Sequence, residues 1–350
     1  VNVPLSGAVV GDRVVVRYLR GEATPADWRG NPDAAQSDVT GVLIDDTDPL
    51  RLRRNGEDVS IPAGAITSVR LLSAKPVRNS EIRSLEHVAA RSWPGVDTDW
   101  ISGWFVRAGH GFSRRANSAV PLDRSAHPDA TTLRRIDRWY ADRGLPPLMA
   151  LPERLMHPST VAGVEGIEVQ MLTCDTAMLR ERLAHPGSGR VRIAERPDDD
   201  WLAAYAGERS AHTDVDAVRA VVTSGEPPLA FASISNSPGA GPVIDSNGTN
   251  PAGLAAIGRG AVTESSDGRR WLGLSALWTD PARRRTGLSA AVVAELVAWG
   301  VEQGADAAYL QVETTNRPAG AWYRRLGFGL HHSYRYLTPG IPPADSEGDR

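Results

Sequence analysis

Two stretches of the chain carry residue types at spacings that could do chemistry. The first, "TDPARRRTGLS", spans Thr279 to Ser289, behind the apolar run "WLGLSALW" and ahead of a helical pattern reaching about residue 303. It gathers Arg284, Arg285, Thr286, Gly287, Leu288 and Ser289 where a strand should turn into a helix. The first turn of a helix presents unpaired N–H groups and the positive end of the peptide dipole. A glycine there lets the backbone close on an anion with no side chain in the way. The junction suits a pyrophosphate, with guanidiniums adding charge-assisted contacts. A solvated basic face is the plainer reading of the same residues. No lysine follows in G-K-[ST] register, and the spacing is not G-x-G-x-x-G, so neither a Walker loop nor a dinucleotide fingerprint is present.

The second stretch, "NRPAGAWYRRLGF", lies one strand and one helix later and sets out Asn316, Ala319, Tyr323, Leu326, Gly327 and Phe328. Together the two resemble the GCN5-related N-acetyltransferase (GNAT) superfamily. "DPARRRTGLS" is similar to its acetyl-CoA signature R/Q-x-x-G-x-G/A, with Arg284, Gly287 and Ser289 at the defining positions. Ser289 departs from the usual Gly or Ala but is small enough for close approach. The second stretch is similar to the element N-x-x-A-x-x-x-Y-x-x-L-G-F.

The resemblance implies acetyl-CoA as cosubstrate, no metal, and direct transfer of acetyl to a primary amine in a ternary complex. The acceptor it implies is a small molecule, a protein lysine or an N-terminus. It also implies a division of labour. Backbone amides of Arg285 to Ser289 hold the pyrophosphate. Leu277, Trp278 and Thr279 pair with pantetheine where their strand splays from "AAYLQV", and Asn316 bonds the pantetheine arm. An N–H near Trp278 stabilises the oxyanion. Tyr323 stands where many members place the acid for the departing thiolate, and an ordinary tyrosine pKa of ~10 keeps it able to donate. The base stays open. Gln311 holds the place of the glutamate found in some relatives, and Glu313 follows two residues on, on the same strand face. Glu264, His331, His332 or a water chain are alternatives. His110, between Gly109 and Gly111, belongs to no metal spacing.

The elements that must position these groups follow from pattern. Residues 1–75 contain five β-branched runs separated by Gly, Pro, Asn and Asp turns, as in a small SH3-like β-barrel. Residues 76–187 open with the helical "NSEIRSLEHVAARSW". A strand pair "WISGWFVRAG" and "SRRANSAVPLD", an amphipathic helix from about 129 stopped by Gly144 and two prolines, and the strand "GIEVQMLTC" follow. This part resembles the degenerate first half of tandem GNAT proteins, since no second acetyl-CoA signature is present. It is expected to support substrate selection or packing. Residues 188–338 form an α/β pattern expected to be the catalytic GNAT domain, with a mixed, mostly antiparallel sheet and two terminal strands, "GFGLHH" and "YRYLT". The Gly/Pro/Ser/Asn-rich 235–253 reads as a mobile insertion and 339–350 as a flexible tail. The three-part layout resembles actinobacterial, including mycobacterial, SH3-like plus tandem GNAT proteins.

Composition bounds the rest. With 350 residues the chain can bury several cores, and a net charge of -3 does not point to nucleic acid or an anionic membrane. No run approaches the ~20 apolar residues of a membrane helix. One cysteine, Cys174, rules out an internal disulfide and suits a reducing compartment, so a cytoplasmic setting is expected. Oligomeric state is left open. An acetyl-CoA-binding regulatory module, with the barrel holding a peptide or nucleic acid, is the competing expectation.

Overall fold

The computed structural model of the chain describes residues 8–26, 33–183, 191–207, 214–236 and 253–340. Five strands, β1 (Arg13–Leu19), β2 (Gln36–Asp45), β3 (Leu50–Arg54), β4 (Glu57–Ile61) and β5 (Ile66–Leu71), pair antiparallel in the order β4-β3-β2-β1-β5. Alternation sends Val14, Val16 and Tyr18 of β1 inward against Leu43, Leu50, Leu52 and Val69. The five runs expected from the sequence are these strands. No ladder between β4 and β5 closes the described residues into the expected barrel.

The helix α1 (Asn79–Ser92) follows, its first turn fixed by the Arg78 N–H donating to Glu81 Oε2 at 2.6 Å. The strands β6 (Asp97–Ile101) and β7 (Trp104–Ala108) form a hairpin whose turn residues, Ser102 and Gly103, both take positive φ. The expected partner strand across 113–123 is reduced to β8 (Val120–Pro121). The physical reason is Asn117. Its Oδ1 accepts from the N–H groups of Gly109 and Gly111, and its Nδ2 donates to the carbonyls of Phe112 and Ser113. These local bonds satisfy backbone groups that a ladder would otherwise take.

Then come α2 (Ala130–Ala141), capped by Asp129, β9 (Met149–Pro152), β10 (Gly163–Asp175) and α3 (Thr176–Arg182). The last part contains β11 (Arg192–Ala194), α4 (Asp199–Gly207), α5 (Val215–Thr223), β12 (Leu229–Ser235), β13 (Leu254–Glu264) and β14 (Arg270–Thr279). It ends with α6 (Leu288–Glu302), β15 (Ala307–Glu313), α7 (Arg317–Arg325) and β16 (Gly329–Pro339). The two terminal strands expected there are one strand, β16, with a register shift opposite Met171 and Leu172 that leaves His331 without a registered partner. Of the expected tail, Pro339 ends β16 and the Gly340 N–H donates to the Ala162 carbonyl at 2.8 Å; residues 341–350 lie outside the described residues. The expected insertion falls mostly on 237–252, also outside them.

One sheet of eight strands joins these parts in the order β11-β12-β13-β14-β15-β10-β16-β9. Among its ladders only β14–β15 is parallel. The boundary expected near 187 therefore cuts through a single sheet: β10 lies between β15 and β16, and β9 forms an edge. Consecutive β10 residues Val169, Gln170, Met171 and Leu172 are all buried, as suits a central strand covered on both faces. Helix α6 packs on one face of β12–β14, and α4 and α5 on the other. Gly258 permits the close approach of α6, since a Cβ there would sit 2.6 Å from Val292 Cγ1.

Candidate active site

The parallel ladder between β14 and β15 runs from Trp271–Ala307 to Leu274–Leu310 and stops. Beyond it β14 bends. Arg259 pairs with Ser275 and Ile257 with Trp278, so Ala276 and Leu277 oppose Gly258 alone as a bulge, with Ala276 at φ 51. β15 instead stays paired to β10 as far as Glu313–Val169. The two strands thus splay, as the resemblance implied, and the backbone of Ala276 and Leu277 has no registered partner on either side.

At the end of β14, Asp280 Oδ1 accepts from the Ala282 N–H at 2.9 Å and the chain makes one tight turn over Pro281–Arg283. Arg285 and Gly287 then take positive φ, 64 and 88, and the first backbone bond of α6 runs from the Ala291 N–H to the Gly287 carbonyl at 3.0 Å. The N–H groups ahead of it are the unpaired set at a helix start, and residues 281–286 are exposed. Two side chains here turn back onto the chain. Thr286 Oγ1 donates back to the Arg283 carbonyl at 2.5 Å, and Ser289 Oγ shares a 2.7 Å hydrogen bond with Thr279 Oγ1. Ser289, the departure from the usual Gly or Ala, is therefore turned onto β14. Arg284 Nε lies 3.4 Å from the Thr279 carbonyl, whereas the Arg285 side chain makes no hydrogen bond among the described residues. Exposed amides, a positive-φ glycine and a free guanidinium fit a diphosphate.

Helix α7 forms the opposite wall. Asn316 Oδ1 caps it by accepting from the Ala319 N–H at 3.3 Å, which leaves its amide nitrogen as a donor. Tyr323 is partly buried, its ring 5.0 Å from that of Trp322 and 5.9 Å from that of Phe328. Its hydroxyl has no protein partner among the described residues, and burial pushes its pKa up to about 12.

A cavity of about 750 Å³ lies between these walls. Leu277, Glu313, Asn316 and Tyr323 line it, while Arg284–Ser289 lie outside its lining. Trp278 packs against the cluster around Trp201, and Thr279 is buried against Ser289, so neither side chain reaches the cavity. Glu313 is ion-paired with Arg114. The other base alternatives are elsewhere. His332 Nε2 lies 2.7 Å from the buried Glu86 Oε1, and its Nδ1 lies 2.7 Å from His331 Nδ1. Burial and the neighbouring His332 bring the His331 pKa down to about 3. Glu264 is exposed at a hairpin end, and His110 sits exposed in a turn at φ 51. Neither histidine pair nor Glu264 lines the cavity. Among the described residues no group of three His, Cys, Asp or Glu could hold a metal ion.

Sequence reading missed much of the remaining lining. Trp93 comes from the end of α1, Arg114 and Arg115 from the loop held by Asn117, Tyr205 from α4, and Tyr334 and Tyr336 from one face of β16. Ser275 also lines it, with a buried hydroxyl that has no partner among the described residues. The adjacent arginines in a Gly- and Ser-rich turn and the alternating tyrosines were the available signals. Nothing in linear order ties either to residues some two hundred positions away.

Residues 79–337 match the family model "Probable histone acetyltransferase Rv0428c C-terminal". The chain is 35% identical over 344 residues to the probable histone acetyltransferase Rv0428c of Mycobacterium tuberculosis, covering 97% of each protein. Among solved structures it is similar to a GCN5-related N-acetyltransferase from Kribbella flavida, at 16% identity and a TM-score of 0.48, over 76% of this chain and 97% of that one. It is also similar to a tandem GNAT protein from the clavulanic acid biosynthesis pathway, at 9% identity and a TM-score of 0.44, over 61% and 70%.

Proposed function

The chain belongs to the family of the probable histone acetyltransferase Rv0428c, and because its two motifs resemble those of the GCN5-related N-acetyltransferases we propose that it moves the acetyl group of acetyl-CoA directly to a primary amine in a ternary complex. One observation carries this reading: the splay of β14 from β15 opens onto the same cavity as Tyr323, and the exposed start of α6 directly follows that strand.

In this reading the amides of Arg285–Ser289 hold the diphosphate, with the Arg285 guanidinium beside them. Leu277 and the Asn316 amide nitrogen hold the pantetheine arm. Trp278 and Thr279 contribute through backbone alone, because their side chains are spent on packing and on Ser289. The amine nitrogen attacks the thioester carbonyl carbon, forming a C–N bond as the C–S bond breaks. An N–H of the unpaired Ala276–Leu277 stretch polarises the carbonyl oxygen. Glu313, directly or through water, takes the proton that the nitrogen loses, and Tyr323 gives one to the thiolate. The buried free Cys174 suits a reducing, cytoplasmic setting.

The test is release of coenzyme A thiol from acetyl-CoA across a panel of amines, with the acetylated product identified by mass. Amine-dependent release supports the reading. Tight acetyl-CoA binding with no release from any amine would make the chain a sensing module instead.

A further inference from the structure

Granting acetyl transfer, the cavity also speaks to the acceptor. One part of its lining is Leu277, Ala319 and Tyr323, largely apolar and next to the splay. Another part is cationic. Arg114 and Arg115 reach it from the loop between β7 and β8, and Arg114 is engaged by Glu313. Arg115 forms no ion pair among the described residues, although it is only partly exposed. Its Nε is buried without a partner among the described residues, and its guanidinium lies 5.3 Å from the centre of the Trp93 ring. Trp93 is buried as well, and its Nε1 has no acceptor among the described residues.

The surroundings do not neutralise Arg115. Buried Arg259 lies on the same Trp93 ring, 4.8 Å from its centre, and gives its hydrogen bonds to the carbonyls of Val222 and Ser92. Buried Arg107 donates to the Trp93 carbonyl. Of the nearby carboxylates, Glu313 is held by Arg114 and Glu86 by His332. A cationic peptide entering here would meet uncompensated positive charge, whereas an anionic oxygen group would meet the Arg115 guanidinium, which has no ion pair among the described residues and is backed by the Trp93 ring.

We propose that Arg115 and Trp93 form a subsite for an anionic group on the acceptor, a carboxylate or a phosphate. The acceptor class is then a small amine that carries such a group, and not the side chain of a lysine-rich protein segment.

The experiment compares acceptors that differ only in that group, using the full chain and acetyl-CoA: glycine against glycinamide, and O-phosphoethanolamine against ethanolamine, with a lysine-rich peptide alongside. The anionic member of at least one pair should lead in kcat/KM by about tenfold or more, and the winning pair identifies the anion. In Arg115→Met that ratio should fall towards one through a higher acceptor KM, and Arg115→Lys should restore part of it. The wild-type ratios stand as a test even if Arg115→Met fails to fold. Neutral amines or the peptide turning over as well as the anionic amines would overturn the subsite and leave acetyl transfer standing. So would an Arg115→Met protein that loses affinity for acetyl-CoA itself, because Arg115 would then serve the cosubstrate. No thiol release with any acceptor overturns both readings.

Discussion

In the proposed mechanism Tyr323 is a side chain prepared for a charge that exists only during the reaction. Its surroundings keep it protonated, and no protein group competes for its hydroxyl. In Tyr323→Phe, kcat should fall ~10²-fold while acetyl-CoA affinity, measured by calorimetry, changes little. An unaltered kcat would remove the hydroxyl from the mechanism. With its pKa at about 12, Tyr323 stays protonated through pH 10, so any alkaline fall in kcat below that pH belongs to another group. Gly287 makes the complementary case on the cofactor side. In Gly287→Glu, acetyl-CoA binding should be lost, because the new carboxylate stands against the diphosphate and a side chain is forced to φ 88. Normal calorimetric affinity in that variant would place the diphosphate elsewhere.

Among the elements, β14 and β16 depart most from regular geometry, and each departure has a consequence. The Ala276 bulge in β14 is what ends pairing with β15 and exposes backbone to the cavity. A glycine would have announced the positive φ; an alanine gave no such sign. In β16 the register shift sets His331 against His332, which is itself tied to Glu86 of α1. His331 stays neutral in the folded chain down to about pH 3, whereas an unfolded histidine titrates near 6.5. Between those values the unfolded state binds more protons, so stability rises with pH and is lost as pH falls below 6.5. The loss from this one group is at most about 1.4 kcal/mol per pH unit. In His331→Gln, denaturant unfolding between pH 6.5 and 4 should show a shallower loss of stability. A slope equal to that of the parent would mean that His331 protonates freely in the fold.

At the scale of the whole molecule, the large sheet and Arg259 bind the regions on either side of residue 187 into one structure. β10 fills the place between β15 and β16, and Arg259 of β13 joins the ends of α1 and α5 through the Ser92 and Val222 carbonyls. A fragment of residues 188–350 would have β15 and β16 with a missing neighbour and an uncovered apolar face. It should fail to show a cooperative thermal transition with near-ultraviolet dichroism, whereas the full chain should show one. A fragment that melts cooperatively would establish an independent domain after 187. No helix among the described residues is long and apolar enough to cross a membrane.

The grouping of residues proposed to hold the cosubstrate was legible in order along the chain. The strand, turn and glycine before α6 act within one helical turn of each other, and Asn316 and Tyr323 lie on or beside one short helix, so local spacing was enough to group them. The β1–β5 alternation was legible for the same reason, since a strand's inward face repeats every second residue. The rest of the cavity lining was not. Trp93, Arg115, Tyr205 and Tyr334 share a cavity only because β10 inserts into a sheet built mostly from later residues, and because the Asn117 bonds turn a would-be strand into a loop. Local propensity and spacing act over a few residues, but long-range strand order is decided by which apolar faces can be covered together, and only the folded chain reports that.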